Sequence, residues 1–258
     1  MPIQDNVPGN LYARLSDADS LDMAFAVFAE TVMSMGYEGV LYGCAPALFA
    51  YDPLFKSPVV RAAGLYSTEL LLRYQDEGLA EHDFTVKAIK QGVRDEMDWW
   101  SYRHQNRLNP QEITLLDIAK SFGLHNGLSI PVMNNSAGIA GYSVASAKQR
   151  ECFDQLNQTH LPALKECMHV FNAYVWAYQA RDIYEQYTYP VISQLTAIEK
   201  AFLHHLPIEK SIPEIARQIN RVPRQTERIA SSVRRKFGGI STNQLIYYSG
   251  LLHFNDYI

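Results

Sequence analysis

The alternation of apolar and polar residues is clearest from residue 195 onward, where it predicts several short helices. Three helix starts are marked by a hydroxyl side chain followed three residues later by a carboxyl or amide side chain: Thr196-x-x-Glu199, Ser211-x-x-Glu214 and Ser241-x-x-Gln244. In this capping-box pattern the two side chains satisfy free backbone N–H groups at the helix start. A fourth start is predicted at Val222-Pro223, because proline at the first helical position needs no backbone donor.

The helix predicted over residues 223–237 has two chemically different faces. The packing face consists of Thr226, Ile229, Ala230, Val233 and Phe237. The cationic face consists of Arg224, Arg228, Ser231 and Arg235. The preceding helix, predicted over 212–219, is joined to it by only residues 220–222, which forces a sharp crossing. This pattern predicts a helix-turn-helix. The alternative is an ordinary helical bundle with a solvated basic face.

Nearer the N-terminus, the pattern predicts helices that alternate with strands. Buried strands are predicted over residues 38–44 and 59–66, and helices through residue 74, over 83–91 and over 109–123. Trp99-Trp100 opens an aromatic segment between the last two helices. A helix before the first strand carries the apolar stripe Leu21, Phe25, Phe28, Val32 and Met35.

Two apolar runs, 127–133 and 138–146, predict a β-hairpin of two central strands. A longer helix is predicted from about Pro162 onward. Its apolar stripe either seats against a partner helix or covers one face of the sheet. The stripe consists of Leu164, Met168, Phe171, Val175 and Tyr178.

The composition, with 258 residues, 47% hydrophobic and 19% charged, is typical of a soluble globular protein of one or two domains. No apolar run approaches the ~20 residues that a membrane span needs, and no signal peptide is recognisable, which predicts a cytoplasmic protein without a membrane partner. The three cysteines, Cys44, Cys152 and Cys167, lack metal-ligand spacing and are expected to be buried or idle thiols.

Charge is distributed unevenly along the chain, although the net charge is only −4. From residue 191 onward, nine Lys or Arg stand against five Asp or Glu, a net charge of +4, which leaves −8 for the preceding residues. This asymmetry marks two domains, 1–180 and 195–258, joined by a polar, Tyr-rich linker over 181–194. A local basic surface suits phosphate binding, and an acidic partner domain does not forbid it.

The C-terminal region resembles the DNA-binding domain of LuxR-type transcription regulators. The resemblance rests on Leu195-Thr196-x-x-Glu199-x-x-x-Leu203, Lys210-Ser211-x-x-Glu214-Ile215-Ala216 and Arg234-Arg235-Lys236-Phe237-Gly238. Glu209 replaces the usual glycine, and Val222 replaces the usual serine cap. The resemblance implies a four-helix domain that contacts double-stranded DNA through Lys210, Ser211, Arg221, Arg224, Gln225, Arg228, Arg234, Arg235 and Lys236. Of these, Arg224, Gln225 and Arg228 are expected at base edges.

The N-terminal region is similar to the sensor domain of the same family, an α/β/α sandwich on an antiparallel sheet that binds acyl-homoserine lactones. Tyr66-x-x-x-Leu70-x-x-x-Tyr74, followed nine residues later by Asp83, has the spacing of the family's ligand-pocket motif. The resemblance implies a ligand site formed by Tyr66, Leu70, Tyr74, Asp83, Trp99, Trp100 and Val144. Val144 is expected where relatives place a pocket serine or threonine.

One departure from the family motif changes the expected ligand. Leu70 stands where the family has a tryptophan that donates to the lactone carbonyl, and leucine donates nothing. The family's aspartate accepts from the ligand amide, so Asp83 favours a ligand that keeps an amide or amine but has a less polar head. The alternative is that Asp83 only caps the helix that follows it and that no ligand is needed.

Other classes of function find less support in the residues. A response-regulator receiver needs an acidic pair after its first strand, which residues 37–44 lack. The sequence lacks the motifs that would suggest an enzyme or a cofactor, namely a phosphate-binding glycine loop, metal-ligand spacing and a nucleophile elbow. The sequence predicts an α+β, homodimeric, ligand-responsive DNA-binding regulator of quorum-sensing type. The alternative is a ligand-independent regulator or inhibitor that acts by heterodimerising with a relative.

Overall fold

The computed structural model describes residues 7–46, 58–209 and 211–251. The chain divides into two compact units, Met1–Ala180 and Arg181–Ile258. Across the described ranges, each helix is either too short or too polar to cross a lipid bilayer.

The first unit combines helices with one antiparallel sheet. Its elements are α1 (Val7–Leu15), α2 (Leu21–Ser34), β1 (Gly39–Pro46), β2 (Val59–Gly64), α3 (Thr68–Asp76), a 3-10 turn (Leu79–His82), α4 (Phe84–Lys90), β3 (Met97–Asp98), α5 (Trp99–His104), α6 (Pro110–Ser121), β4 (Asn126–Asn134), β5 (Gly138–Ser146) and α7 (Arg150–Tyr178). The strands and helices predicted for residues 21–146 are confirmed within a few residues at each end. Helix α1 was not predicted from the sequence.

The sheet has the strand order β2-β1-β5-β4-β3, with every neighbouring pair antiparallel. Hairpin β4-β5 therefore lies inside the sheet, as the sequence predicts. Tyr142 of β5 lies opposite Tyr42 of β1 and Ile130 of β4, while Ser143 lies opposite Leu41 and Ser129. Because successive side chains of a strand point to opposite faces, this register decides which residues share a face.

One face of the sheet packs against α2 and α7 through a cluster of aromatic rings. The Phe28 and Phe171 rings stack with centroids 4.6 Å apart, and Tyr142 lies 4.8 Å from Tyr42 and 5.1 Å from Phe28. Both tyrosine hydroxyls are paired inside α7, Tyr142 with the Met168 carbonyl at 3.0 Å and Tyr42 with the Asn172 side chain at 3.2 Å. This face is the main core of the first unit.

The other face lies under α4 and α5. A Cβ added at Gly141 would stand 2.6 Å from Ile89 of α4, and one added at Gly127 would stand 2.2 Å from the Trp99 ring of α5. Helices thus cover both faces of the sheet, and the predicted α/β/α sandwich is confirmed.

Helix α7 begins at Arg150, twelve residues before the predicted start at Pro162. Its first turns are held by Phe153, which is fully buried against Tyr37, and by ion pairs from Arg150 to Asp98 and Asp154. These contacts offset the loss of the backbone hydrogen bond that Pro162 removes from the helix interior. The prediction that this helix begins near Pro162 was therefore wrong.

The apolar stripe of α7 covers the sheet. Leu164, Met168, Phe171 and Val175 are completely buried, whereas Tyr178 is largely exposed. Of the two interpretations that the sequence leaves open, the structure supports the packing of this stripe on the first unit's own sheet.

The second unit is all helical. Its helices are α8 (Ala180–Ile192), α9 (Ala197–His205), α10 (Ile212–Gln218), α11 (Pro223–Lys236) and α12 (Thr242–Leu251). Most of the segment interpreted as a linker, 181–194, is therefore helix α8. The four-helix organisation predicted for residues 195–258 is confirmed over residues 195–209 and 211–251, the part of this range that the structure describes.

Two of the three predicted capping boxes are present. Thr196 and Glu199 make reciprocal backbone contacts at the start of α9, and Ser241 and Gln244 make them before α12. At α10 the prediction was wrong, since the Ser211 hydroxyl donates to the Glu214 carboxylate at 2.8 Å and leaves the backbone uncapped. Because the Ser211 hydroxyl is paired with the Glu214 carboxylate, it accepts no hydrogen bond from a backbone N–H at the start of α10.

Glu199 also joins α9 to α11. Its carboxylate accepts from Lys236 Nζ at 2.6 Å, from the Ser232 hydroxyl at 2.7 Å and from the Thr196 backbone N–H at 2.8 Å. Burial raises the pKa of the Glu199 carboxyl, but these hydrogen bonds outweigh burial and lower the pKa from 4.5 to about 2. The charged form of Glu199 therefore stabilises the second unit.

We predict that Glu199→Gln destabilises the second unit by about 2 kcal/mol, because the Lys236 ammonium loses its anionic partner. A carboxyl whose pKa is depressed on folding contributes stability above its unfolded value, and that contribution is lost as the pH falls. The difference between parent and Glu199→Gln should therefore shrink as the pH falls from 4.5 toward 2. Hydrogen exchange of the α9 and α11 amides in the full chain measures this difference in stability.

Glu227→Gln is the matched control, because Glu227 is an exposed carboxyl on α11. A pH-independent difference between the parent and Glu199→Gln, or an equal loss in Glu227→Gln, would contradict the role assigned to Glu199.

Candidate functional site

The candidate ligand site is the sheet face that carries Leu41, Gly43 and Ser143, which we call the cleft. These residues belong to the inner strands β1 and β5, yet they remain partly exposed, whereas their neighbours Tyr42 and Val144 are fully buried on the α7 side. Partial exposure in the middle of a sheet indicates that helices α3 to α6 cover this face incompletely. Such a concave face, with apolar walls and a few polar groups, is where small molecules usually bind.

A chain of hydrogen-bonding side chains runs along this face. The Trp99 indole N–H donates to the Ser129 hydroxyl at 2.9 Å, and that hydroxyl lies 2.7 Å from the Ser143 hydroxyl on the neighbouring strand. The Trp99 ring lies against Gly127, where any side chain would collide with it. The absence of a side chain at Gly127 thus lets the indole reach Ser129.

Val144 lies on the other face of β5. It is opposite Val40 and Leu128, and all three are buried on the side of the sheet that α7 covers. The expectation that Val144 stands at the pocket position does not match this placement. The strand alternation puts Ser143 in the cleft instead, so a shift of one residue separates the sequence interpretation from the structure.

The Tyr66 side chain is 8% exposed, and its hydroxyl oxygen is completely buried. Burial raises the pKa of Tyr66 well above its ordinary value, a side-chain hydrogen bond with Ser143 opposes that shift, and the negative charge of Asp83 adds to it. The contact with Ser143 is a weak one, because its geometry falls outside that of an ordinary hydrogen bond. Tyr66 therefore stays a neutral donor at physiological pH.

The Asp83 side chain is already occupied by protein groups. Its Oδ1 accepts from the Thr85 backbone N–H at 2.8 Å, the Thr85 hydroxyl at 2.7 Å and the Val86 backbone N–H at 3.3 Å. Its Oδ2 accepts from the Tyr74 hydroxyl at 2.9 Å. Asp83 is the N-cap of α4, so the structural role that the sequence left as an alternative is present.

Leu70 and Trp100 complete the predicted set. Leu70 is buried on α3, on the same helix as Tyr74. Trp100 is half-buried, with the Arg103 guanidinium 5.4 Å and the Lys120 ammonium 5.6 Å from its ring. Of the two tryptophans that the sequence offered, Trp99 is the one that joins the polar chain.

Three polar residues of the cleft were missed: Thr85, Ser129 and Ser143. The two serines could have been found by extending the period-two alternation of β4 and β5 from the apolar residues that must face the core. Thr85 lies two residues after Asp83, in the first turn of the helix that Asp83 caps. The hydrogen bond from its hydroxyl to Asp83 depends on the side-chain rotamer, which the sequence does not fix.

Helix α11 of the second unit separates its two faces as predicted. Thr226, Ala230, Val233 and Phe237 are buried and Ile229 is half-buried. Arg224, Gln225, Arg228 and Arg235 are all exposed. Arg224, Arg228 and Arg235 line one shallow groove with Ser231, so the cationic side chains share one surface.

The turn before α11 is short and strained at one residue. Asn220 has φ = 53°, a left-handed conformation that asparagine tolerates better than most residues. The Arg221 backbone N–H donates to the Ala216 carbonyl at 2.8 Å, which closes the end of α10. Arg221 is exposed in this turn, and Ser211 is exposed at the start of α10. Lys210, the remaining predicted residue of this region, lies outside the described residues.

Two of the predicted phosphate contacts have partners within the unit. The Lys236 ammonium binds Glu199 and the Gln194 carbonyl, at 2.6 and 2.9 Å. Arg234 is half-buried and approaches the Ser231 hydroxyl at 3.4 Å. Lys236 therefore stabilises the junction of α9 and α11, and the exposed cationic surface consists mainly of Arg224, Arg228 and Arg235.

Comparison with known proteins agrees with this organisation. A family model described as the autoinducer binding domain matches residues 20–180. No curated protein matches the sequence. Among solved structures, the N-acylhomoserine lactone dependent LuxR family transcription factor CepR2 from Burkholderia cenocepacia is 17% identical, with 67% of this chain and 96% of that chain covered and a TM-score of 0.52.

Escherichia coli SdiA is similar over both units. It is 14% identical, with 96% of this chain and 97% of that chain covered and a TM-score of 0.54. At such low identities the structures show a shared fold, and the family rests on the sequence model, which spans more than half of the chain. The resemblance found in the sequence motifs is confirmed: this chain belongs to the autoinducer-binding-domain family, that of the LuxR-type quorum-sensing regulators.

Proposed function

We propose that the protein is a transcription regulator that binds a small signal molecule in the cleft of its first unit and double-stranded DNA through α11 of its second unit. A signal that binds only the folded first unit stabilises that fold. The signal changes DNA binding if the signal-bound and signal-free states of the chain bind DNA with different affinities. A homodimer presents two copies of α11 to a two-fold DNA site.

The observation that carries the proposal is the buried Tyr66 hydroxyl at the end of the cleft. A buried donor without an acceptor costs roughly 1–3 kcal/mol, so natural folds seldom keep one unless something binds there. Within the described residues the Tyr66 hydroxyl has no hydrogen bond of ordinary geometry, and its contact with Ser143 is weak. A ligand acceptor placed beside Ser143 would satisfy it.

The cationic surface of α11 supports the DNA-binding part of the proposal. Arg224, Gln225 and Arg228 lie in the first two turns, the part of a recognition helix that reaches base edges in the major groove. Arg235 lies two turns further on, where a contact to phosphate carries no sequence information. The fixed junction between Glu199 and Lys236 holds this helix against α9.

Arg228→Ala should relax sequence preference, since an arginine at a base edge contributes about 1–3 kcal/mol of discrimination. Arg235→Ala should instead weaken binding to specific and random duplexes alike and reduce the salt slope by about one. Fluorescence anisotropy on the protein's own promoter fragment and a random duplex measures both. Lys90→Ala, which removes an exposed cation of the first unit, is the control.

If Arg228→Ala and Arg235→Ala bind both duplexes as the parent does, the assignment of α11 as the recognition helix is wrong.

The dimer contact is expected at α12. Leu245 and Tyr248 of this helix are buried, but Ile246 and Tyr247 are exposed beside each other. Leu252, which the sequence pattern adds to this helix, lies outside the described residues. An exposed apolar pair on a short helix is more stable when a second copy covers it, and a two-fold DNA site requires two copies.

Ile246→Glu should raise the dimer dissociation constant by about tenfold or more, because a carboxylate would be buried at the contact. Sedimentation at micromolar concentration, with and without DNA, measures the dimer. Ile208→Glu is the control, since Ile208 is exposed on the same unit outside α12. A parent that stays monomeric in both conditions would rule out the homodimer.

Acyl-homoserine lactones should bind the parent weakly, because Leu70 leaves the lactone carbonyl without a donor. Leu70→Trp should tighten octanoyl-homoserine lactone by about tenfold if the indole fits beside Tyr66. Leu72→Trp, at an exposed position of the same helix, is the control. Isothermal titration measures all three proteins, and tight lactone binding by the parent would show that Leu70 does not limit the ligand.

A further inference from the structure

An acidic side chain lies within the cationic face of α11. Glu227 is exposed and lines the same shallow groove as Arg224, Arg228 and Arg235. It belongs to the second turn of the helix, between Arg224 and Arg228 in the chain. The residues that line this groove in the described part of the chain thus bring one carboxylate among three guanidinium groups.

The Glu227 side chain contributes little to the stability of α11. Its backbone carbonyl accepts from the Ser231 hydroxyl at 2.9 Å, but its carboxylate forms no ion pair or hydrogen bond within residues 7–46, 58–209 and 211–251. It also stands beyond the first turn, where a carboxylate would stabilise the helix dipole. The folding of the second unit therefore does not explain a carboxylate at this position.

A carboxylate on a DNA-binding surface lowers the affinity for DNA, because it repels the phosphates that the arginines attract. This repulsion acts on every duplex, whatever its sequence. Only a donor on a base edge that meets the carboxylate offsets the repulsion, and such a donor is present at some base pairs and absent from others. A carboxylate can therefore raise specificity while it lowers affinity.

The four bases offer a carboxylate different groups in the major groove. Cytosine presents its N4 amino group as a donor, with no acceptor on the same edge. Adenine presents an amino group beside the N7 acceptor, while guanine and thymine present acceptor oxygens that a carboxylate repels. The guanine that pairs with cytosine presents two acceptors, which suit a guanidinium such as that of Arg224 or Arg228. A C·G pair therefore matches a groove that combines a carboxylate with guanidinium groups.

We propose that Glu227 accepts a hydrogen bond from the N4 amino group of one cytosine in the DNA bound by each α11, and that its charge weakens binding to sequences without that cytosine. This inference rests on the proposed function, because it names a base that the DNA-binding surface reads. It adds to the arginines a residue that acts partly by repulsion.

Selection from a pool of duplexes with a randomised central segment tests the base preference. The full-length parent should enrich a site with one position where cytosine is preferred and that responds to Glu227. Glu227→Gln should enrich adenine at that position, because an amide pairs with both N6 and N7 of adenine. Glu227→Ala should accept all four bases there, and both variants should keep the preferences of the parent at the other positions.

Fluorescence anisotropy on three duplexes gives the magnitudes: the site that the parent selects, the same site with A·T in place of the C·G pair, and a random duplex. The parent should bind the C·G site about tenfold more tightly than the A·T site, and Glu227→Gln should reverse this order. Both variants should bind the random duplex several-fold more tightly than the parent, since they lose a negative charge. Glu151→Gln, which removes an exposed carboxyl from α7, is the control and should behave as the parent.

The inference is overturned if the parent's site contains no preferred cytosine, if folded Glu227→Gln and Glu227→Ala select the same base as the parent at every position, or if neither binds the random duplex more tightly. Circular dichroism melts establish that the variants are folded. A parent that binds no duplex of the pool refutes the proposed function as well. A parent that selects a defined site, with unchanged preferences in both Glu227 variants, refutes the role of Glu227 alone.

Discussion

The two-residue alternation of strand β5 is the constraint on which the sensor unit depends. Tyr142 and Val144 point into the core under α7, and Ser143 points into the cleft on the opposite face. A strand inside a sheet cannot change one face without the other, because a shift of one residue exchanges them. The core on one side therefore fixes which polar groups stand in the cleft on the other.

A comparable constraint acts in the second unit through Glu199. One carboxylate caps α9 and binds Lys236 of α11, so the orientation of α11 depends on a buried ionic contact as well as on apolar packing. Breaking a buried ion pair costs more than the pair contributes to folding, because the remaining charge is left without a partner. This contact keeps Lys236 away from solvent, while Arg224, Arg228 and Arg235 stay exposed on the same helix.

Most of the fold could be predicted from the sequence. Two apolar runs located the central hairpin, capping residues located α9 and α12, and Pro223 located α11. The start of α7 was missed because Pro162 normally ends a helix, and only the long-range contacts of Phe153 and Arg150 offset it. The Ser211 cap failed because a side chain competed with the backbone for the same hydroxyl.

The site was harder to predict than the fold. The resemblance to the family's pocket motif placed Tyr66, Tyr74 and Asp83 together, and the structure does join Tyr74 to Asp83. Spacing could not show that Asp83 is occupied by a helix cap, because that depends on the geometry of Thr85 and Val86. The expected pocket position Val144 lies one residue from Ser143, the residue that faces the cleft, because a motif match does not give the strand register.

The central claim is that the first unit binds a small signal molecule in the cleft beside Tyr66. Mass spectrometry of the small molecules released when the purified full-length chain is denatured tests it most directly. The account predicts one small molecule in near-stoichiometric amount from the parent and much less from Tyr66→Phe. Release of no small molecule from the parent, or equal release from both proteins, would contradict it.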